Sequence, residues 1–213
     1  MAANETRMLL LGAVAMFQPV NGYQIRRELS SWRVDEWANL KPGSIYHGLT
    51  RLAEQEFLLR HDVVDGTRPV AVYEITGAGR EELDRLLVGA LEEYVAQGNV
   101  GFSVAFGMLP LLSRDQVLAS LTRRRVSIER AVAELAAGAE AKDQAPPHAR
   151  RGLLLWMDLA VAELGWLREV IEDVKAGRLR FQMGEDWGWT PAAADPGLQM
   201  NLDREKYRAL LGR

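Results

Sequence analysis

The stretch that decides the fold runs from Pro42 to Ile75 and reads PGSIYHGLTRLAEQEFLLRHDVVDGTRPVAVYEI. Proline suits the first turn of a helix because its φ is already fixed, so a helix is predicted from Pro42 to Gln55. Three apolar residues recur in it at spacings of four and three, and we expect them to be buried: Ile45, Leu49 and Leu52. Three polar residues share the opposite side, where they would be open to a partner: Ser44, His47 and Arg51.

A hairpin is predicted directly after this helix. Residues 57–64 and 70–75 are rich in β-forming side chains, and an Asp65-Gly66 turn signal lies between them. Because the connection over residues 65–69 is longer than two residues, we expect it to protrude as a wing. Arg68 would then lie near the tip.

Two more helices precede this stretch. Residues 6–17 are mostly apolar, which predicts a buried helix; the continuous apolar run is too short to span a bilayer. Asn21 and Gln24 have the spacing of a capping box, which predicts a second helix over residues 22–32. Three helices followed by a hairpin are the order of a winged helix-turn-helix, so the fold class is mostly α with a small β-hairpin wing.

The second half of the chain is predicted to be helical. Thr76 is expected to cap a connecting helix, Ser113 and Gln116 a long helix to about residue 141, and a last long helix covers residues 148–176. The two long helices carry heptad seams, which could pair within one chain or with a second copy. We favour a second copy and assign the dimer interface to five residues: Leu153, Met157, Leu164, Leu167 and Ile171.

These elements divide the chain into three parts. Residues 1–97 form the predicted winged helix-turn-helix domain with its connecting helix, and residues 98–177 form a helical dimerisation and effector domain. Residues 178–213 are an irregular tail with a short helix over 203–211. Trp187 and Trp189 lie in this tail, and their large apolar rings predict that it docks on the rest of the protein.

The composition is that of an ordinary folded protein, but its charge does not by itself favour nucleic acid. The chain has 213 residues, no cysteine and a net charge of −3. Up to Gly77 there are 8 Lys and Arg against 9 Asp and Glu, so even the predicted DNA-binding part is about neutral. Because phosphate contacts supply most generic affinity for DNA, recognition would depend on where the cations lie.

Several fragments, in this order, resemble the PadR family of transcriptional regulators over residues 8 to about 88. The fragments are Leu10-Leu11-Gly12, Asn21-Gly22-Tyr23-Gln24-Ile25, Pro42-Gly43-Ser44-Ile45-Tyr46, Leu49, Arg51, Leu52 and Tyr73-Glu74-Ile75-Thr76-Gly77-Ala78-Gly79-Arg80. The chain departs from the family pattern at Asn21, usually His, at His47, often Pro, and at Thr67, typically Gly. His47 lies on the predicted DNA face, so it would alter the sequence that is read.

The resemblance implies a cytoplasmic homodimeric repressor on a pseudo-palindromic double-stranded DNA operator, released by a small hydrophobic or aromatic effector. The third helix would enter the major groove and the wing would reach the backbone or the minor groove. Nine residues are predicted to contact DNA: Tyr23, Arg26, Lys41, Ser44, Tyr46, His47, Arg51, Thr67 and Arg68. Four aromatic residues are candidates for an effector pocket, although core packing explains them at least as well: Phe102, Phe106, Trp156 and Trp166.

Other functions find little support in the sequence. The three histidines are far apart and lack metal-ligand spacing, and no phosphate-binding glycine loop or nucleophile elbow occurs, so we expect no enzyme activity, cofactor or metal. The run Arg123-Arg124-Arg125 points in three directions on a helix, which favours a solvated face and interhelical pairs over a nucleic-acid patch. Two alternatives stay open: a winged-helix module that binds protein, and an enzyme that retains a degenerate winged helix.

Overall fold

The computed structural model describes residues 2–38, 40–96, 98–140, 146–179, 181 and 195–213. Helices α1 to α9 span Ala2–Phe17, Gly22–Ser31, Val34–Trp37, Pro42–Glu54, Gly77–Glu92, Val100–Gly107, Arg114–Glu140, Pro147–Lys175 and Pro196–Leu210. Strands β1 to β3 span Val20–Asn21, Leu58–Asp65 and Arg68–Ile75, and form one antiparallel sheet in the order β1-β3-β2. The predicted fold class is confirmed. None of the helices, over the residues described, is long and apolar enough to cross a membrane.

The chain divides into two compact units. The first contains α1 to α4, the sheet, most of α5 and the C-terminal helix α9; the second begins within α5 and contains α6 to α8. Each unit has its own core.

In the first unit, α1 is buried on nearly all sides and α4 packs closely on it. A Cβ at Gly48 of α4 would come within 2.3 Å of a methyl carbon of Leu10, so a larger residue here would force the buried Leu10 side chain to shift. Helix α2 begins with the predicted capping box: Asn21 Oδ1 accepts from the Gln24 amide at 2.8 Å, and Gln24 Oε1 accepts from the Asn21 amide at 2.9 Å. Gln24 is buried, and so is Glu28.

The wing is built differently from the prediction. Asp65 pairs with Arg68, so the hairpin closes through the two residues Gly66 and Thr67, and the expected loop over residues 65–69 is wrong. Gly66 has φ of +64°, the left-handed conformation that glycine adopts without strain. The wing therefore protrudes through eight-residue strands, not through a long loop.

In the second unit, α7 and α8 form an antiparallel hairpin. Leu153, early in α8, lies beside Gly138 near the end of α7, and Gly177, just past α8, lies beside Arg114 at the start of α7. Ser113 and Gln116 form the predicted capping box of α7, with distances of 2.9 and 3.2 Å.

A buried arginine joins these two helices. Arg124 has no exposed surface, and its guanidinium lies 2.6 Å from Glu163 of α8. It also donates to the Glu93 carbonyl oxygen and lies 3.9 Å from the centre of the Phe102 ring. The expectation of interhelical pairing for the arginine run is confirmed at this residue, while the expectation of a solvated face is wrong for it.

The C-terminal helix packs on the winged-helix unit. Helix α9 is longer than the predicted helix over residues 203–211. Its residues Met200 and Tyr207 are buried. Trp187 and Trp189, which had predicted docking of the tail, lie outside the described residues.

Candidate nucleic-acid interface

Helix α4 separates apolar from polar residues as the sequence predicts. Ile45, Leu49 and Leu52 are buried with at most 4% of their surface exposed. The opposite face is open, and it presents a hydroxyl, an imidazole and a guanidinium in line: Ser44, His47 and Arg51. Those expectations are confirmed, and the exposed row is what a recognition helix needs to reach base edges and phosphates.

The start of α4 is suited to an anion. Lys41 at the N-cap makes no side-chain capping bond, Pro42 occupies the first helical position, and Ser44 is exposed one turn in. The Ser44 N–H donates to the Lys41 carbonyl oxygen and Pro42 has no N–H, so the attraction for phosphate comes mainly from the positive end of the helix dipole, to which Lys41 would add a full charge.

The N-terminus of α2 lies next to this surface. A Cβ at Gly22 would be 3.0 Å from two ring carbons of Tyr46, so the two helices meet at a glycine. Tyr46 keeps 45% of its surface exposed and Tyr23 keeps 55%, which leaves both hydroxyl ends accessible. Arg26 stacks on the Tyr23 ring at 5.5 Å.

The tip of the wing supplies the remaining predicted residues. Thr67 and Arg68 are exposed, and Arg68 forms no ion pair within the described part of the chain. Arg60 of β2 is by contrast held by Asp62 at 2.9 Å. An exposed, unpaired arginine at a hairpin tip is free to neutralise a phosphate.

Charge on the wing is balanced by residues that the N-terminal count omitted. Asp65 and Glu74 are paired with Lys206 and Arg213, at 2.5 and 2.9 Å. Both cations come from the C-terminal end of the chain. The only sequence signal for them was the basic character of residues 204–213, which does not say which strand they would meet.

The residues predicted for other sites are placed as follows. Phe102, Phe106 and Trp166 form one aromatic group with ring centres 5.0 to 6.0 Å apart, while Trp156 makes no ring contact with them among the described residues. Three of the predicted dimer residues are buried within the single chain: Leu164, Leu167 and Ile171. The other two, Leu153 and Met157, are half-buried. The seam is thus largely covered by the hairpin, and the exposed apolar residues of α8 are others: Leu155, Leu159, Val161 and Trp166.

Helices α1, α2 and α4, the hairpin that follows them and the exposed polar face of α4 define a winged helix-turn-helix domain of the nucleic-acid-binding type. A comparison of the sequence with models of protein families finds a match. Residues 10–85, which include most of the winged-helix part of the chain, match the model of the transcriptional regulator PadR-like family. Among curated proteins, none is significantly similar to the sequence.

Three solved structures are similar to this chain. The first is Bacillus subtilis PadR in complex with operator DNA, with 17% identity over 79% of this chain and 98% of that chain, and a TM-score of 0.37. The PadR-like regulator BC1756 from Bacillus cereus has 19% identity over 81% and 99%, with a TM-score of 0.33. The smu.1604c protein of Streptococcus mutans has 18% identity over 78% and 98%, with a TM-score of 0.35. Likeness at this level carries no functional argument.

Proposed function

We propose that this protein is a DNA-binding transcriptional regulator that acts in the cytoplasm. The observation that carries the proposal is the division of α4, whose apolar stripe is buried while Ser44, His47 and Arg51 stay open. Arg51 can make a bidentate contact with guanine or pair with a phosphate, and Arg68 at the wing tip can reach the backbone. The family of the matched domain supports the regulatory role.

The test is a gel shift on a duplex carrying the protein's own upstream region, over a series of salt concentrations. If Arg51 and Arg68 each neutralise one phosphate in each half of a dimer, either alanine substitution removes two contacts. The slope of log K against log salt should then fall by about 1.8 for each substitution. Arg85→Ala is the matched control, because Arg85 is an exposed arginine on α5, held by Glu82 at 2.8 Å. Equal slopes for Arg51→Ala, Arg68→Ala and the control would refute the proposal.

We also propose that it binds a pseudo-palindromic operator as a homodimer. The predicted seam is largely covered within the chain. We therefore add the exposed apolar residues of α8, among them Leu155 and Leu159, to the surface that would contact a second copy. A double substitution, Leu155→Glu with Leu159→Glu, should turn a dimer into a monomer in light scattering. Leu202→Glu is the control, since Leu202 is an equally apolar, exposed residue of the other unit. A wild-type monomer at micromolar concentration would contradict the dimer.

Repression released by a small aromatic effector is the finer part of the proposal. The ring group of Phe102, Phe106 and Trp166 supports it, because Trp166 is 39% exposed and offers a face on which a flat apolar molecule can stack. The fluorescent probe 1-anilinonaphthalene-8-sulfonate should bind the protein and weaken its gel shift. If Trp166→Ala still binds the probe, and the probe still weakens the gel shift of this variant, the proposed site is contradicted.

The alternative is a winged-helix module that binds another protein through α4. It predicts no steep salt dependence and no gel shift by the wild-type protein, so the same titration separates the two functions.

A further inference from the structure

Helix α9 is tied to the N-terminus of α2 by buried anchors. Met200 and Tyr207 keep only 1% and 4% of their surface exposed. The Tyr207 hydroxyl accepts from Asn21 Nδ2 at 2.6 Å, and Asp203 accepts from Gln24 Nε2 at 2.7 Å. These two partners are the capping-box residues of α2, so α9 contacts the part of the domain that carries Tyr23.

The same helix is fixed to the end of α1. Arg204 donates to the Met16 carbonyl oxygen at 2.6 Å. Carbonyl groups in the last turn of a helix lack partners within the helix, and an arginine that reaches them satisfies the missing bond. Helix α9 therefore has a set position on the α1–α2 pair.

From this position α9 reaches one face of the wing. The pairs Asp65–Arg68, His61–Val72 and Leu59–Glu74 are directly opposed, so their side chains share a face. Lys206 Nζ lies 2.5 Å from Asp65, next to the turn, and Arg213 lies 2.9 and 3.0 Å from the two Glu74 oxygens at the base of the hairpin. On β2, His61, Val63 and Asp65 of this face are partly covered, while Leu59 at its base is exposed. The residues Arg60, Asp62 and Val64 of the other face are all exposed.

We infer that α9 is a positioning element of the wing, and that Lys206 acts through Asp65 to hold the tip at the angle at which Arg68 meets DNA. The inference rests on the proposed function. Strand β1 pairs with β3 only at Val72 and Tyr73, so the outer part of the ribbon has two strands, and a two-stranded hairpin is only marginally stable alone. A contact from outside the sheet therefore helps the tip to keep one direction. Lys206 supplies that contact by pairing with Asp65, which lies three residues before Arg68 in the chain and directly opposite it in the hairpin.

The test uses the full chain with Lys206→Ala, Asp65→Asn and Arg208→Ala. The last is the matched control, since Arg208 is a cation of the same helix that pairs with Glu205 and not with the wing. Hydrogen exchange in the peptide covering residues 58–75 should speed up about two- to fivefold in the first two variants, as expected for loss of a surface ion pair, and stay unchanged in the control. Exchange in α4 should not change in any of them.

DNA affinity gives a second readout whose sign separates positioning from charge. Removing the Asp65 carboxylate would by charge alone strengthen binding to a polyanion. If Lys206 and Asp65 position the wing, Asp65→Asn should instead weaken binding to the upstream duplex about two- to fivefold, and the double variant should be no worse than either single one. Stronger binding by Asp65→Asn, or unchanged wing exchange in Lys206→Ala, would overturn the inference. If the wild-type protein binds no duplex, the proposed function fails and the inference about DNA fails with it, while the exchange data still report whether α9 holds the wing.

Discussion

Replacing Arg124 by alanine should strongly destabilise the helical unit. The side chain is fully buried and forms an ion pair with Glu163 at 2.6 Å. It also donates hydrogen bonds to the Glu93 carbonyl oxygen and to Asn99 Oδ1, the latter at 3.3 Å. Removing it leaves the Glu163 carboxylate, only 15% exposed, without its cation. The loss of one partner of a buried ion pair costs about 3–5 kcal/mol.

The lower end of that range applies here, because Asn99 Nδ2 still donates to Glu163 at 3.0 Å. About 3 kcal/mol corresponds to a fall in Tm of roughly 6–12 °C for a chain of this size. Thermal unfolding followed by circular dichroism at 222 nm, at fixed protein concentration, measures the fall.

Arg123→Ala is the control one residue away. Arg123 is 56% exposed and pairs with Glu92 on the surface, so its loss should leave Tm close to that of the wild type. Adding Glu163→Gln to Arg124→Met should recover part of the stability lost by Arg124→Met alone, because the stranded charge is removed. Equal Tm values for Arg123→Ala and Arg124→Ala would refute the reasoning.

Two other predictions concern the winged-helix unit, and Gly89 of the second unit is the control for one of them. Burial, and secondarily the charge of Asp195, raise the pKa of Glu28, so the fold loses stability as pH rises from the ordinary carboxyl range through the raised value. Glu28→Gln should therefore raise the urea midpoint at pH 7.5, and the gain should disappear below about pH 4; an equal gain at both pH values would contradict this cause. Gly48→Ala places a Cβ 2.3 Å from Leu10 and should destabilise by about 1–3 kcal/mol in urea unfolding. Gly89→Ala, where nothing lies within 4 Å of the added carbon, should stabilise by about 0.5–1 kcal/mol; the same sign for both glycines would argue against close packing of α4 on α1.

The burial pattern of α4, which carries the proposed recognition surface, was largely predictable because it follows from a local pattern. The spacing of Ile45, Leu49 and Leu52 predicts which side of α4 is buried, and in the part of the chain that the structure describes no other element covers Ser44, His47 and Arg51 on the opposite side. The capping boxes at Asn21 and Ser113 were found for the same reason, since their two partners are three residues apart.

The sequence was less informative where elements are short or a turn lies inside a strand. Helix α3 and strand β1 have four and two residues, too few for a periodic pattern. The hairpin connection was drawn too long because Asp65 and Arg68 are polar, yet backbone pairing extends to both.

What the sequence by itself determined is the order of the longer elements, the buried stripe of α4 and the capping boxes, because these depend on residues within a few positions of one another. Only the tertiary structure decided that Arg124, and not its neighbours, enters the core. It also decided that a helix from the far end of the chain packs on the start of α2, where Tyr207 meets Asn21 across 186 residues, and reaches the wing, where Lys206 meets Asp65. Contacts at such separations depend on where the packed elements bring the backbone, and no local pattern encodes that position.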